Sequence, residues 1–241
     1  MKKRIMFVAL CMSTTILSSM TVFAESRGGS SASSTGHVSF LEDTAKNKLI
    51  DPFSPNVNDE LKPYDASAYQ PASSGPLSVD YISNIRFGKQ KSTGFDKVYY
   101  ATLDRMVDHN AKDIYRPNFV QVTDKRGTNT GWHLTVLQNT QFKNGANELD
   151  GAELRFEHAT LSTSGNGSQP VANQSIILTP GKSSAVLEAK ANQGMGTWVN
   201  RFGVDEKEGE MSVSLFVPAK AKKFQGEYQT SLTWTLSDSP I

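Results

Sequence analysis

The sequence predicts an all-β fold, an antiparallel β-sandwich that is Ig-like in general architecture and is preceded by a disordered linker. Nine or ten short runs alternate between apolar and polar residues, which is the period of a half-buried strand. Turns rich in glycine separate these runs, and no long stretch shows the period of an amphipathic helix.

The first 24 residues have the features of a secretory signal peptide. Residues 2–4 are basic, residues 5–17 are mostly apolar, and a small-X-small cleavage pattern ends at Ala24. We predict cleavage after Ala24, and no apolar segment that could insert into a membrane follows it. Cleavage also removes Cys11, the only cysteine, so the mature chain is predicted to form no disulfide of its own.

The charge of the predicted mature chain is nearly balanced. The signal holds three of the 25 Lys and Arg residues and none of the 24 Asp and Glu residues, which leaves 22 against 24. A nucleic-acid or anionic-membrane partner would require a basic face, so the composition argues against both.

Residues 25–74 form a predicted low-complexity linker rich in Ser, Gly and Pro. Small residues dominate its first part, and half of the ten prolines lie between residues 52 and 76. Few apolar residues are available there to offset the entropy cost of ordering the chain. We therefore predict that a folded domain begins at residue 75 and continues to residue 241.

The predicted strands of this domain follow one another with turn signals between them. The alternating or β-rich runs are at residues 77–82, 98–103, 118–123, 131–136, 153–157, 175–178, 185–189, 198–199, 211–217 and 228–237. A charged turn is predicted at 205–209, and a helical turn is most plausible at 218–224.

No arrangement of residues in the sequence indicates catalysis. Nucleophile-elbow, zinc-protease and phosphate-loop patterns are absent, and the four histidines are scattered without metal-ligand spacing. Carboxylates are plentiful but none has EF-hand spacing. We expect a protein that is not an enzyme, with no catalytic residues, no cofactor and no metal site.

Two Trp-X-Leu elements lie about a hundred residues apart. Trp132 shares a strand face with Leu134, and Trp234 shares a strand face with Leu236. One interpretation is core packing, because both indole rings lie on apolar faces. The other is a tryptophan at the rim of the domain that stacks on a sugar ring.

These elements resemble the two motifs of the WxL-domain cell-surface proteins of Gram-positive bacteria. The ending from Tyr228 through Leu232-Thr233-Trp234-Thr235-Leu236 is similar to the end of that domain, and Gly131-Trp132-His133-Leu134 is similar to its first motif. Gly75 to Tyr81 resembles its opening. The similarity covers most of residues 75–241.

The resemblance implies a secreted, extracellular protein at the cell wall or cell surface. It implies non-covalent attachment by binding peptidoglycan, with Trp132, Leu134, Trp234 and Leu236 as the motif residues. It also implies assembly with WxL-interacting surface proteins and other WxL proteins. Lys220, Lys222 and Lys223 are either a solvated turn or a contact for anionic wall polymers.

Three functions remain open at this point. The first is a wall-binding surface protein, and the second is a structural subunit that partner proteins hold at the wall. The third is a secreted wall hydrolase with an unfamiliar site.

Overall fold

The computed structural model describes residues 34–65 and 73–239. The predicted signal peptide at residues 1–24 lies outside this range, so its cleavage stays a prediction. Residues 34–39 belong to a separate unit and are exposed, whereas the elements below belong to the compact unit Phe40–Ile241.

The described residues contain 17 strands and one helix. Strands occur in all ten regions where the alternation predicts them, and seven further short strands are present. The elements are β1 (Lys62–Pro63), β2 (Leu77–Ile82), β3 (Lys97–Tyr100), β4 (Asp104–Val107), β5 (Asp113–Arg116), β6 (Phe119–Asp124), β7 (Trp132–Gln138), β8 (Lys143–Asn144), β9 (Asn147–Glu148), β10 (Glu153–Glu157), β11 (Ala159–Thr163), β12 (Val171–Ala172), β13 (Ser175–Ile177), β14 (Ser183–Ala189), β15 (Gly196–Phe202), α1 (Glu206–Ser212), β16 (Val213–Val217) and β17 (Leu232–Ser237).

The strands pair in an antiparallel manner, and the predicted all-β, antiparallel fold is confirmed. We call β11-β15-β6-β2 the central sheet, β12-β14-β7-β17 the motif sheet, β13-β10-β16-β3 the third sheet and β1-β4-β5 the outer sheet. Strands β8 and β9 form a separate hairpin. The arrangement is therefore one of several small sheets, and it is not specifically the predicted Ig-like sandwich. Alternation predicts which face of a strand is buried, but it does not predict which strands pair.

The main hydrophobic core receives side chains from the central, motif and third sheets. Val122 and Phe202 come from the central sheet, Trp132 from the motif sheet, and Phe156 and Leu215 from the third sheet. The rings of Phe156 and Phe202 lie 5.0 Å apart, so two sheets meet directly in this core.

A second hydrophobic cluster lies on the opposite face of the central sheet. Tyr81, Phe119 and Val199 of the central sheet pack there against Met106 of the outer sheet and Ile50 of the N-terminal segment. The central sheet is therefore covered on both faces, and all six residues of β6 are buried. A β-bulge between Val79 and Tyr81 shifts the register of β2 against β6 at this point.

Residues 40–65 are part of the folded unit, whereas the sequence predicts a linker there. Leu49, Ile50 and Leu61 are buried in the second cluster. The side chain of Gln121 in β6 accepts a hydrogen bond from the backbone of Ile50 at 3.0 Å and donates to the carbonyl of Lys48 at 2.8 Å. This segment folds because it supplies partners to a polar face that would otherwise be unsatisfied.

An ion pair and stacked guanidinium groups hold the next part of the segment. Arg116 donates to both carboxylate oxygens of Asp51, at 2.6 and 2.5 Å, and both side chains are 13% exposed. Burial by itself would raise the pKa of Asp51, but hydrogen bonds from Arg116 and from the backbone of Phe53 hold it below its ordinary value. Arg116 and Arg201 also lie over the ring of Phe53.

The single helix of the described residues lies where the sequence predicts a charged turn and the start of a strand. Asp205 caps α1 by accepting a hydrogen bond from the backbone of Glu208 at 2.8 Å. Glu208 reaches back to the backbone N–H of Val204 at 2.7 Å, which resembles a capping box. This local capping makes Glu206–Ser212 helical, and the alternating strand begins only at Val213.

Breaking the Asp51–Arg116 ion pair should lower the free energy of unfolding, because the pair holds residues 47–53 against the domain. Replacing Asp51 with alanine leaves the largely buried Arg116 with only the more distant carboxylate of Glu206, at 3.6 Å, and we expect a loss of about 3 kcal/mol in the free energy of unfolding. Urea unfolding at neutral pH measures this loss in the free energy of unfolding. The control Asp113→Ala breaks the exposed pair with Arg105 and should cost less than about 1 kcal/mol. Equal losses would show that residues 47–53 are not anchored as described.

Candidate functional site

The two Trp-X-Leu motifs lie on neighbouring strands of the motif sheet. Strands β7 and β17 pair in an antiparallel manner, so that Leu236 lies opposite Leu134 and Trp234 lies opposite Val136. All four side chains belong to the main core or pack against it. Residues that are a hundred positions apart in the sequence therefore form one surface of the fold.

Trp132 is a core residue in this structure. Its side chain is 0% exposed, and its indole N–H donates to the carbonyl of Gly194 at 3.1 Å. Gly194 has a φ of +75°, and a Cβ there would lie 2.5 Å from the indole nitrogen. Leu134 is equally buried. The core interpretation therefore fits Trp132 and Leu134, and neither can touch a ligand without opening the core.

Trp234 lies at the border between the core and the solvent. Its ring packs edge-on against Phe156 at a centroid distance of 6.1 Å, and the side chain is only partly buried. Its indole N–H has no hydrogen-bond partner among residues 34–65 and 73–239. Leu236, on the same face of β17, is also partly buried. Trp234 thus has a ring edge and a donor available for contact.

Trp234 lines a groove of about 1540 Å³. Residues 82–92 and 223–232 contribute much of its lining. Its apolar lining comes from core side chains, together with Tyr99 and Tyr228; these core residues include Phe142, Leu149, Leu154, Leu215 and Val217. The polar side chains Gln225, Gln229 and Ser231 line it as well. We consider this groove the candidate functional site because it combines aromatic rings with hydrogen-bonding groups.

Internal hydrogen bonds hold the loop at residues 222–228. The backbone N–H of Phe224 donates to the Tyr228 hydroxyl at 2.9 Å. The ammonium of Lys223 donates to the carbonyls of Pro218 and Ala221, at 3.0 Å each, and to that of Ala219 at 3.3 Å. The Lys223 ammonium is therefore bound to backbone carbonyls, while the side chains of Lys220 and Lys222 are exposed.

A second, smaller pocket of about 350 Å³ lies beside the groove and contains Asp104, so we call it the Asp104 pocket. Asp104 is 5% exposed and accepts hydrogen bonds from the hydroxyls of Tyr81, at 2.9 Å, and Ser83. Burial raises the pKa of Asp104 to about 6, although these hydrogen bonds oppose the shift. Arg86 lines both this pocket and the groove.

The described histidines and carboxylates do not gather into a metal site. Within residues 34–65 and 73–239, no group of three or more His, Cys, Asp or Glu side chains could hold an ion. His158 contacts Ser212, His133 contacts the carbonyl of Ser239, and His109 lies 3.6 Å from Asp59.

Sequence reasoning found Trp234 but missed most of the groove around it. Residues 83–92 contain no strand, so they carry no alternation from which their position could be predicted. Tyr99 was part of a predicted strand, but its partner β16 determines that it faces the groove. Asp104 and Arg86 lacked any spacing signal, because the fold brings them together from separate strands and loops.

Comparisons with known proteins agree with these observations. A family model described as "WxL domain surface cell wall-binding" matches residues 27–240. The domain is thus one of a class of all-β surface domains that bind cell wall. The chain belongs to the WxL domain family. No match was found among curated proteins or among solved structures. None of the helices in the described part of the chain is long and apolar enough to cross a membrane.

The burial of the two tryptophans predicts different stability losses. Trp132→Ala empties a closed part of the core and should lower the free energy of unfolding by about 3–5 kcal/mol. Trp234→Ala removes a partly exposed ring and should cost less, about 1–3 kcal/mol. Urea unfolding of both variants measures the difference. A larger loss for Trp234→Ala would contradict the placement of Trp132.

The raised pKa of Asp104 predicts a pH dependence of stability. Its folded-state pKa, about 6, lies above its ordinary value of 3.8, so the folded chain holds the proton more tightly. Asp104 therefore lowers the free energy of unfolding by about 1–3 kcal/mol as the pH rises from 4 to 6. In Asp104→Asn this part of the fall should disappear. The control Asp150→Asn removes an exposed carboxylate and should retain the wild-type fall.

Proposed function

We propose that this protein is a non-catalytic surface protein that attaches non-covalently to the Gram-positive cell wall by binding peptidoglycan. Membership of the surface cell wall-binding family supports attachment to the wall. The observation that carries the finer proposal is the groove that Trp234 lines, which is open to solvent and rich in aromatic and amide side chains.

The groove fits the chemistry of a glycan strand. Sugar rings present apolar faces that stack on aromatic rings, and their hydroxyl and N-acetyl groups bond to amide and hydroxyl side chains. Trp234 and Tyr99 offer the first kind of contact, and Gln225, Gln229 and Ser231 offer the second. At about 1540 Å³ the groove is larger than the range typical of small-molecule sites, which suits a polymer.

Among the four motif residues, the proposal assigns a contact role to Trp234 alone. Trp132 and Leu134 hold the strand against which β17 pairs, and Leu236 packs opposite Leu134. These three residues support the contact residue by fixing its strand.

A second candidate function is that of an interaction subunit held at the wall by WxL-interacting surface proteins or other WxL proteins. Exposed apolar residues on the outer face of the third sheet favour this interaction function. Val98, Tyr100 and Ile177 are all exposed on that sheet, and Val98 and Tyr100 belong to its edge strand β3. Exposed apolar residues on a sheet edge are typical of surfaces that pair with another chain.

Sedimentation with purified peptidoglycan tests the first proposal. The purified protein alone should co-sediment, and Trp234→Ala should lower its affinity by roughly two- to tenfold, as expected for the loss of one aromatic stacking contact. Trp234→Phe keeps a ring but loses the indole donor and should give an intermediate effect.

The matched control is Phe95→Ala, which removes an exposed aromatic ring that does not line the groove. Circular dichroism checks that each variant is folded. If the wild-type protein sediments only with a membrane-anchored partner, the interaction-subunit function replaces the first proposal. If sugar or peptide is released from the wall, the protein is a hydrolase and both proposals fail.

A further inference from the structure

Four charged side chains line the Asp104 pocket, namely Asp65, Arg86, Asp104 and Arg105. Asp104 and Arg86 both line it, yet they form no ion pair with each other. We propose that this pocket binds the zwitterionic centre of an amino acid, with the ligand ammonium at Asp104 and the ligand carboxylate at Arg86. This is a site distinct from the glycan contacts of the groove.

The surroundings of Asp104 support the ammonium half of the proposal. Its hydrogen-bond donors are the neutral groups of Tyr81, Ser83 and Asn118, and no cationic side chain lies within ion-pair distance among the described residues. The contact from Asn118 to Oδ1 is long, at 3.5 Å, so this oxygen retains capacity to accept. The charge of Arg86 favours the ionised form of Asp104 without a direct ion pair, and a ligand ammonium would supply that direct partner.

Arg86 supports the carboxylate half. Its guanidinium is exposed and makes no hydrogen bond or ion pair within residues 34–65 and 73–239. The backbone around it is fixed, because its carbonyl accepts a hydrogen bond from the backbone of Thr102 at 2.8 Å. A guanidinium presents two parallel donors that match a carboxylate, which makes it well suited to this part of the ligand.

The other cation at the pocket, Arg105, does not compete for these roles. Its guanidinium pairs with Asp113 and lies 3.4 Å from the centroid of the Tyr64 ring. Asp113 neutralises it, so it does not repel a ligand ammonium. The rings of Tyr64 and Tyr115, which are 51% and 49% exposed, add apolar surface for the carbon chain of a ligand.

Two sources could supply this zwitterion. Ile82, Asn84 and Arg86 line both the pocket and the groove, so the two sites are neighbours. A wall peptide that carries an α-ammonium and an α-carboxylate on one carbon, as at the side-chain end of a diamino dicarboxylic residue, could therefore enter the pocket while its glycan lies in the groove, a source that rests on the proposed function. A free amino acid is the other source, and its binding does not depend on that function.

Titration of the ¹⁵N-labelled protein with alanine, followed by NMR, tests the pocket itself. Saturable shifts are expected for the backbone amides of Thr102 and Arg105. N-Acetylalanine lacks the ammonium and alanine amide lacks the carboxylate, so each should bind at least about tenfold more weakly. Equal binding of either blocked compound, or no binding of alanine at millimolar concentration, overturns the proposal.

Arg86→Gln removes the carboxylate partner at an exposed position and should weaken alanine binding by about tenfold or more. The control Lys112→Gln removes an exposed cation from the turn between β4 and β5, outside the pocket, and should leave binding unchanged. Equal effects of the two variants would show a general charge effect and overturn the proposal. Asp104→Asn should also weaken binding, and its NMR spectrum shows whether the fold is retained.

Competition distinguishes the two sources. Soluble peptidoglycan fragments whose peptide carries such a zwitterionic centre should displace alanine if the wall is the source, and the same fragments after N-acetylation should not. If alanine binds but the fragments do not displace it, the site stands with a free amino acid as its ligand. Peptidoglycan sedimentation of the wild-type protein separates the proposals, because a protein that sediments but does not bind alanine retains the glycan function and loses this one.

Discussion

The fold depends on the burial of a sheet that has polar side chains on one face. In the central sheet, Gln121 and Thr123 point away from the main core, and both are fully buried. Burial of such groups is tolerable only when each finds a hydrogen-bond partner. Thr123 donates to Asp80 at 2.6 Å, and the backbone of Lys48 and Ile50 supplies partners to Gln121. Asn47 in the same segment donates to Ser78 and Asp80 at 2.8 Å each. The N-terminal segment is therefore a structural layer of the domain.

The two motifs differ in burial although they lie on neighbouring strands. The indole N–H of Trp132 donates to the carbonyl of Gly194 inside the core. Trp234 is partly buried, lines the groove and packs against the ring of Phe156. Because Leu236 lies opposite Leu134 and Trp234 lies opposite Val136, the pairing of β17 with β7 fixes the position of Trp234 relative to the buried Trp132 strand.

The alternation in the sequence predicts ten of the 17 strands in the described residues and their buried faces, because both depend on local period. Leu215 and Val217 are examples, since their burial follows from their spacing alone. The alternation does not determine which strands pair, so it could not predict the division into small sheets. The N-terminal segment was misjudged because proline-rich composition indicates a lack of helix and sheet, and residues 47–53 order themselves through side-chain and backbone bonds to β6. Asp104 and Arg86 line one pocket only in the folded chain, so no sequence pattern indicates them.

The pairing of β7 with β17 also bears on how the domain forms. Leu134 and Leu236 are 102 positions apart in the chain, and they must find each other before the motif sheet can close. Contacts between such distant residues make folding slow, because the long intervening loop must first be closed. The two Trp-X-Leu elements can therefore share one surface only after the chain between them has closed into a loop of about 100 residues.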